Sequence, residues 1–307
     1  MPGTAMTDVT KALGWQLGRL TQSRHGEAPR MVALMSSMPY AVAGGPSRLG
    51  FMMEVASVAA GCALEQGMAM VLVPPLESGQ RSLDFMSVDG VVLIEPEANN
   101  KLLMELTVRG LPVVSIGKPG GHRFSTVPYV DLRPGDSVQH LLEHLQAQGA
   151  RQIAMILGTA ERDSYAQAEV AYQRMAHVMG MEPMVLRVDE ALGEAGGSDA
   201  ARQLLENYPQ IDALLVLVDV LAVGVMQHVH QIGLRVPQDI KIATRYDGMR
   251  ARTCEPALTA MSLHLDQVAR LAIDLLAEHL RGASVRQVAQ APMPELVARA
   301  STKSLAR

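Results

Sequence analysis

The chain has 307 residues, of which 48% are hydrophobic and 19% charged, and its formal net charge is −4. This composition indicates a globular chain with a substantial core and excludes a disordered one. The charge excludes a uniformly basic surface for nucleic acid, and the two cysteines exclude a disulfide scaffold or a cysteine-rich zinc framework. We find neither an apolar run of membrane-spanning length nor a signal-peptide pattern, so we expect a cytoplasmic protein without membrane contact.

From residue 31 onward, short apolar runs alternate with helical patterns. The runs predicted as strands are 31–36, 68–73, 91–94, 112–116, 152–158, 184–188, 213–218, 239–245, 258–263 and 295–301. The stretches predicted as helices are 48–67, 101–110, 134–149, 162–179, 198–208, 219–233 and 265–282. Continuous apolar strands separated by helices indicate parallel sheets covered on both faces. Two consecutive blocks without a linker between them predict two α/β lobes joined by several crossing strands.

The sequence HLLEH at 140–144 matches the inverted zinc-peptidase pattern, in which His140 and His144 would bind zinc and Glu143 would act as the base. The same residues also form one amphipathic helix with leucines on its apolar face, and no motif supplies a third ligand. We therefore predict no metal, no cofactor and no catalytic residue here. A metallopeptidase stays as an alternative, because spacing i, i+4 does place both histidines on one helix face.

Nucleotide and hydrolase signatures are absent from the sequence: it contains no phosphate-binding loop, no G-x-G-x-x-G after a strand and no G-x-S-x-G. The glycine-rich segment 44–50 follows the first strand and fits a ligand loop or an ordinary turn equally well. Asp219 precedes a helix, so we expect it to be an N-cap. Asp247 follows a strand at the cleft edge, where a ligand role and a structural role are equally supported.

The segment GLRVPQDIKIATRYDG at 233–248 resembles a characteristic segment of LacI/GalR-type bacterial transcription regulators. Five further segments resemble the same family in the same order, so that the resemblance covers roughly residues 31–300. These segments are VDGVVLIEP (88–96), GLPVVSIG (110–117), VDLRPGDSVQHLLEHLQAQGARQIAMILG (130–158), ALLVLVDVLAVGVM (213–226) and EPALTAMSLHLDQVARLAIDLL (255–276).

This resemblance implies a two-lobed periplasmic-binding-protein-like fold, with a parallel-sheet α/β sandwich in each lobe and three interlobe crossovers. It divides the chain into residues 31–145 plus 264–290 for the N-terminal lobe and residues 146–263 plus 291–302 for the C-terminal lobe. It also implies a regulator, not an enzyme, that forms a homodimer through this core. A small-molecule effector between the lobes would change how a helix-turn-helix headpiece sits on operator DNA.

Residues 1–30 resemble only the family's hinge or linker, so we expect the headpiece to be either absent or truncated in this sequence. Within the segment 9–24, Arg19 and Leu20 would belong to that hinge, but Arg24 stands where the family has an apolar wedge for a DNA base step. We therefore expect operator DNA as a partner only if a headpiece is present. A solute-binding protein and a co-regulator without its own DNA contact stay as alternatives.

The family also implies which side chains would line the effector cleft. Asp247 and Arg245 would come from one lobe, and Ser37, Tyr40 and Asp131 from the other. Three polar positions of the family's pocket are apolar in this chain, which removes hydrogen bonds that a sugar needs. These positions are Ala168, Val218 and Leu132. We therefore expect a ligand less polar than a sugar, or none.

Overall fold

The structure, a computed structural model, describes residues 30–43, 50–73, 87–282 and 286–303. The strands in these ranges are β1 (Arg30–Ser36), β2 (Met68–Leu72), β3 (Gly90–Ile94), β4 (Val113–Ile116), β5 (Tyr129–Asp131), β6 (Ile153–Gly158), β7 (Met184–Val188), β8 (Ala213–Val216), β9 (Lys241–Thr244), β10 (Ala260–Ser262), β11 (Val288–Gln290) and β12 (Glu295–Val297). The helices are α1 (Tyr40–Ala43), α2 (Phe51–Glu65), α3 (Lys101–Val108), α4 (Pro134–Ala147), α5 (Asp163–Met179), α6 (Gly193–Asn207), α7 (Asp219–Gln231), α8 (Met249–Thr253) and α9 (Leu265–Leu280).

The first lobe is a six-stranded sheet in the order β11-β5-β4-β3-β1-β2, and all of its neighbouring strands are parallel. Side chains alternate between its two faces, as the two-residue period of a strand requires. Val32 and Leu34 of β1 pack with α2 and α9, whereas Ala33 and Met35 pack on the other face with α3. Both faces are therefore covered, which explains why the strands are almost entirely apolar.

The second lobe is a four-stranded parallel sheet in the order β7-β6-β8-β9. Its core takes apolar side chains from α4, α5, α6 and α7. The antiparallel pair β10–β12 joins it through a parallel bridge between Ala243 and Thr259. The two-lobed α/β fold that the sequence predicts is confirmed.

The chain passes between the lobes after β5, after β10 and after β11. Arg133 at the first crossover and His264 at the second both adopt the left-handed conformation, with φ of 50°, and each immediately precedes a helix. The helix α4, which we expected in the first lobe, packs its Leu141 and Leu145 in the second-lobe core. The first crossover thus lies before α4 and not after it, because the left-handed turn at Arg133 redirects the chain directly after β5.

Most predicted elements agree with the structure to within about three residues at their ends. The largest difference is α6, which begins at Gly193, whereas the prediction began at residue 198. Its first turns contain three glycines, which disfavour helix interiors and carry no helical signal in the sequence. The segment 9–24 and residues 44–49 of the glycine-rich segment lie outside the described residues. Within the described ranges, no helix is both long and apolar enough to cross a membrane.

Candidate functional site

A small cavity lies between the lobes, at the carboxyl ends of strands from both sheets, where open α/β folds place their ligands. Its volume is about 60 Å³, which holds only a few water molecules at roughly 10–15 Å³ each. The wall is mostly apolar, with Met38, Phe51, Met52, Leu217, Val218 and Leu263 among its residues. Phe51 of the first lobe meets Tyr246 of the second edge to face, with ring centroids 5.2 Å apart.

Arg162 joins the lobes beside this cavity. It directly precedes α5 in the second lobe and is only 3% exposed. One terminal nitrogen donates to Ser37 Oγ at 2.8 Å and to the carbonyl oxygen of Glu95, while the other donates to the carbonyl oxygen of Ser37 at 3.3 Å. The guanidinium also forms ion pairs with Glu97 at 3.3 Å and Glu190 at 3.5 Å. Its planar fork therefore contacts three first-lobe residues at once.

Glu95 is the first-lobe carboxylate at the centre of the cleft. It directly follows β3 in a left-handed turn with φ of 48° and is 5% exposed. One carboxylate oxygen lies 3.6 Å from Arg245 Nη2, and the other accepts a hydrogen bond from Ser164 Oγ at 2.5 Å. The Tyr165 hydroxyl donates to Glu190 at 3.1 Å, and burial raises the pKa of Tyr165, which keeps this donor protonated. Most of these buried polar groups therefore have a partner, whereas Arg162 Nε and Arg245 Nε make no hydrogen bond within the described residues.

A second buried ion pair lies on the other side of the cavity. Arg250 Nη1 is 3.2 Å from Asp219 Oδ2, and the same guanidinium donates to the carbonyl oxygens of Ala41 at 2.9 Å and Val42 at 3.3 Å. Burial raises the pKa of Asp219, and Arg250 opposes that rise. Val218, not Asp219, occupies the N-cap position of α7. The Asp219 carboxylate nevertheless accepts a hydrogen bond from the free Val220 amide at 2.8 Å, as expected of a capping side chain, and it also pairs with Arg250.

The lobes also touch at the rim of the cleft. Ala98 N donates to the Glu161 carbonyl at 2.9 Å. Lys118 Nζ lies 3.0 Å from Asp163 Oδ1, and this hydrogen bond raises the pKa of Lys118. Gly120 permits the contact, since a Cβ there would lie 2.6 Å from Ala98 N and 2.7 Å from Glu161 O. These rim contacts hold the two lobes together beside the cavity.

The cleft residues expected from the sequence are distributed over several places. Arg245 lines the cavity, and Ser37 joins it through Arg162. Tyr40 is 53% exposed on α1. Asp131 lies at the first crossover, where its Oδ1 accepts from Arg133 N at 2.9 Å.

Asp247 lies in a separate recess, although it follows Arg245 by only two positions. Its oxygens lie 2.6 Å from Arg299 and 3.4 Å from Arg252. The structure therefore brings Ser37 and Arg245 together but leaves Asp247, Asp131 and Tyr40 away from the cavity. Arg19 and Leu20, the expected hinge residues, lie outside the described residues.

Three charged residues of the cleft, Glu95, Arg162 and Glu190, are not among those expected from the sequence. They supply polar groups close to the cavity wall, in which Val218 replaces a polar side chain of the family's pocket. A usable signal was present for Glu95, because a carboxylate that directly follows a fully buried strand of a parallel sheet lies at the ligand-binding edge. Arg162 and Glu190 lie in connecting segments whose direction only the fold determines.

In α4, His144 and Glu143 of the zinc-peptidase pattern make ordinary side-chain contacts. His144 Nε2 lies 2.7 Å from Thr302 Oγ1, and burial lowers the pKa of His144. Glu143, the supposed base, accepts a hydrogen bond from Gln139 at 2.8 Å. In the part of the chain that the structure describes, no group of three or more His, Cys, Asp or Glu side chains could hold a metal ion.

Comparison with known proteins places this geometry in context. The periplasmic binding protein-like domain family matches residues 142–302. The HTH-type transcriptional regulator CelR of Thermobifida fusca is 27% identical over 207 residues, which cover 66% of this chain and 59% of CelR. GntR of Escherichia coli K12, another HTH-type transcriptional regulator, is 26% identical over 216 residues, or 68% of this chain and 63% of GntR. The matches thus span about three fifths of these relatives.

A solved structure is similar over nearly the whole chain. It is a complex of the transcriptional regulator CelR with cellobiose, with a TM-score of 0.77, 24% sequence identity and coverage of 97% of this chain and 89% of that one. This likeness establishes that the two chains share a fold.

Proposed function

The chain belongs to the periplasmic binding protein-like domain family, and from this premise we propose that it is the effector-sensing and dimerisation core of a LacI/GalR-type transcription regulator. One observation carries the proposal: polar side chains of both lobes meet in a buried cleft, in a chain whose relatives are transcriptional regulators. We assign no reaction to it. It would act in the bacterial cytoplasm.

The mechanism follows from the two-lobed construction. A small molecule in the cleft contacts both lobes, so its affinity differs between open and closed arrangements, and it shifts the population between them. A change in lobe angle moves one subunit of a homodimer relative to the other. DNA-reading elements carried by the two subunits would then change their spacing, which sets the fit to two half-sites. Arg19 and Leu20 would lie on the path to such elements.

We further propose that the effector is less polar than a sugar. The charged groups of the cleft are engaged with one another, and the remaining wall is formed by Met38, Phe51, Leu217 and Val218. A saturating ligand must raise the melting temperature. In a thermal-shift screen of the ligand-free protein, we expect stabilisation by small apolar or aromatic compounds. A strong response to hexoses, pentoses or disaccharides would contradict this assignment.

Genome-wide DNA occupancy tests the regulatory role. The endogenous protein is captured from formaldehyde-fixed cells of its own organism with an antibody raised against this chain, and the attached DNA is sequenced. We expect enrichment at a small number of discrete sites. No enrichment above that of cells lacking the gene would contradict the role. Recovery of the protein outside the cytoplasm would favour a solute-binding protein instead.

A further inference from the structure

We propose that this chain closes its own cleft, with Arg162 taking the place between the lobes that a bridging ligand would otherwise occupy. The latch consists of Arg162 held by Glu190 in the second lobe, and of its partners Ser37, Glu95 and Glu97 in the first lobe. The inference rests on the proposed function only in treating the cleft as the effector site. The lobe arrangement itself can be measured without any effector.

The guanidinium is positioned in advance by its own lobe. Its Nε lies 3.5 Å from Glu190 as an ion pair, and the Glu190 carboxylate accepts a hydrogen bond from the Tyr165 hydroxyl at 3.1 Å. This arrangement leaves the two terminal nitrogens directed at the first lobe, where they meet the backbone of Ser37 and Glu95. Because the fork is already oriented, closing the lobes costs little side-chain entropy.

Neighbouring contacts support closure by the chain alone. Ser164 and Arg245 of the second lobe both contact the Glu95 carboxylate, and Phe51 packs against Tyr246 across the cavity. The cavity between these contacts has a volume of about 60 Å³, well below the roughly 300 Å³ of a typical ligand pocket. An effector of ordinary size therefore needs the lobes to separate, which breaks the Arg162 contacts. We therefore infer that the ligand-free protein is closed and that the effector opens it.

A carbodiimide cross-link between two residues of the unmodified chain detects the closed arrangement of the lobes. Lys118 Nζ and Asp163 Oδ1 are 3.0 Å apart across the rim, and a water-soluble carbodiimide joins an amine to a carboxylate in contact with it. We expect the ligand-free full chain to yield the amide between these two residues, detected by peptide mass spectrometry. In Arg162→Met, the yield should fall several-fold, and the radius of gyration from small-angle X-ray scattering should increase.

The matched control is Arg187→Met. Arg187 is a half-exposed arginine that pairs with Glu169 inside the second lobe, so its loss should change neither the cross-link nor the scattering. Glu97→Gln provides a milder variant, because Glu97 is partly exposed and only one ion pair to Arg162 is lost. It should reduce the cross-link yield less than Arg162→Met does. If Arg162→Met does not fold, the cross-link yield of Glu97→Gln relative to the wild type tests the latch instead.

Two results would overturn the latch. The first is a folded, ligand-free wild-type chain that gives no cross-link between Lys118 and Asp163. The second is an equal cross-link yield in the wild type, Arg162→Met and Glu97→Gln, with equal scattering. Neither readout involves DNA, so failure of the regulatory role would leave this test intact, and failure of the latch would leave the regulatory role standing.

Discussion

Arg250 shows how strongly one buried charge depends on its partner. It is 9% exposed and lies 3.2 Å from the carboxylate of Asp219, which is 4% exposed. Replacement by methionine keeps much of the side-chain volume but leaves Asp219 buried without its cation. Removing one partner of a buried ion pair costs about 3–5 kcal/mol, because the other charge is left without compensation.

We therefore expect Arg250→Met to lower the free energy of unfolding by about 3–5 kcal/mol, measured by urea denaturation at pH 7. The control is Arg235→Met, which removes an ion pair with Asp239 on the protein surface. That pair holds the pKa of Asp239 at about 2, but solvent screens it, and its loss should have little effect on stability. Equal effects of the two substitutions would contradict the description of the Asp219–Arg250 pair.

His144 makes stability depend on pH. Burial lowers the pKa of His144 below its ordinary value, so the unfolded chain binds this proton more readily than the folded chain does. The neutral histidine contributes fully to the free energy of unfolding above the unfolded-state pKa of about 6.5. This contribution is lost as pH falls through the lower folded-state pKa.

We expect the melting temperature of the wild type to fall more steeply than that of His144→Gln between pH 7 and pH 5. The matched control is His140→Gln, one turn earlier on the same helix and without the contact to Thr302. It should follow the wild-type profile more closely. Parallel profiles for the wild type and His144→Gln would exclude a role for His144 in this pH range.

Among the elements, α6 and α7 approach each other through glycines. A Cβ at Gly197 would overlap the Leu221 carbonyl group, and one at Gly224 would overlap that of Glu194. The close approach explains why a helix contains the glycine-rich segment at 193–198. Overpacking of this kind typically costs about 1–3 kcal/mol.

We expect Gly197→Ala to lower the free energy of unfolding by at least about 1–3 kcal/mol. The same substitution at Gly61, on the exposed side of α2, adds a methyl group with no atom within 4 Å of it, and it should stabilise the protein by up to about 1 kcal/mol through helix propensity. Denaturant unfolding of both variants distinguishes backbone contact from propensity. Stabilisation by Gly197→Ala would contradict the close helix contact.

Sequence periodicity predicts the bounds of an element well where a single local pattern determines both of its ends. β7 spans 184–188 as predicted, because its apolar run is bounded by turn residues. β11 is missed because its three residues, Val288–Gln290, form a strand only by pairing with β5. The same distinction holds for the cleft. The family resemblance predicts Ser37 and Arg245 as cleft residues, whereas the contacts of Arg162 depend on how the two lobes meet and cannot be read from the sequence.

At the scale of the whole molecule, the three crossovers are tied together and can act as one hinge. Arg133 Nε at the first donates to the Ala291 carbonyl at the third with a distance of 2.9 Å. His264 at the second lies 3.7 Å from Glu295. Because these short segments carry the chain between the lobes, we expect a change at the cleft to rotate one lobe against the other.

We expect the chain to form a homodimer. The chain has a mass of 33.0 kDa, so the purified full chain should elute with twice that mass in size-exclusion chromatography with light scattering, at micromolar concentration. Dilution series would establish the dissociation constant. A monomer at every concentration would remove the route by which a change in lobe angle alters the spacing of two DNA-reading elements.

If the cleft acts as proposed, its state controls how much of this protein occupies DNA. The most direct measurement compares occupancy at the same genomic sites in cells that carry the wild-type gene, Arg162→Met or Arg187→Met, with equal protein levels verified by immunoblot. We predict that occupancy changes several-fold in Arg162→Met and is unchanged in Arg187→Met. Discrete sites with equal occupancy in all three strains would contradict control by the cleft.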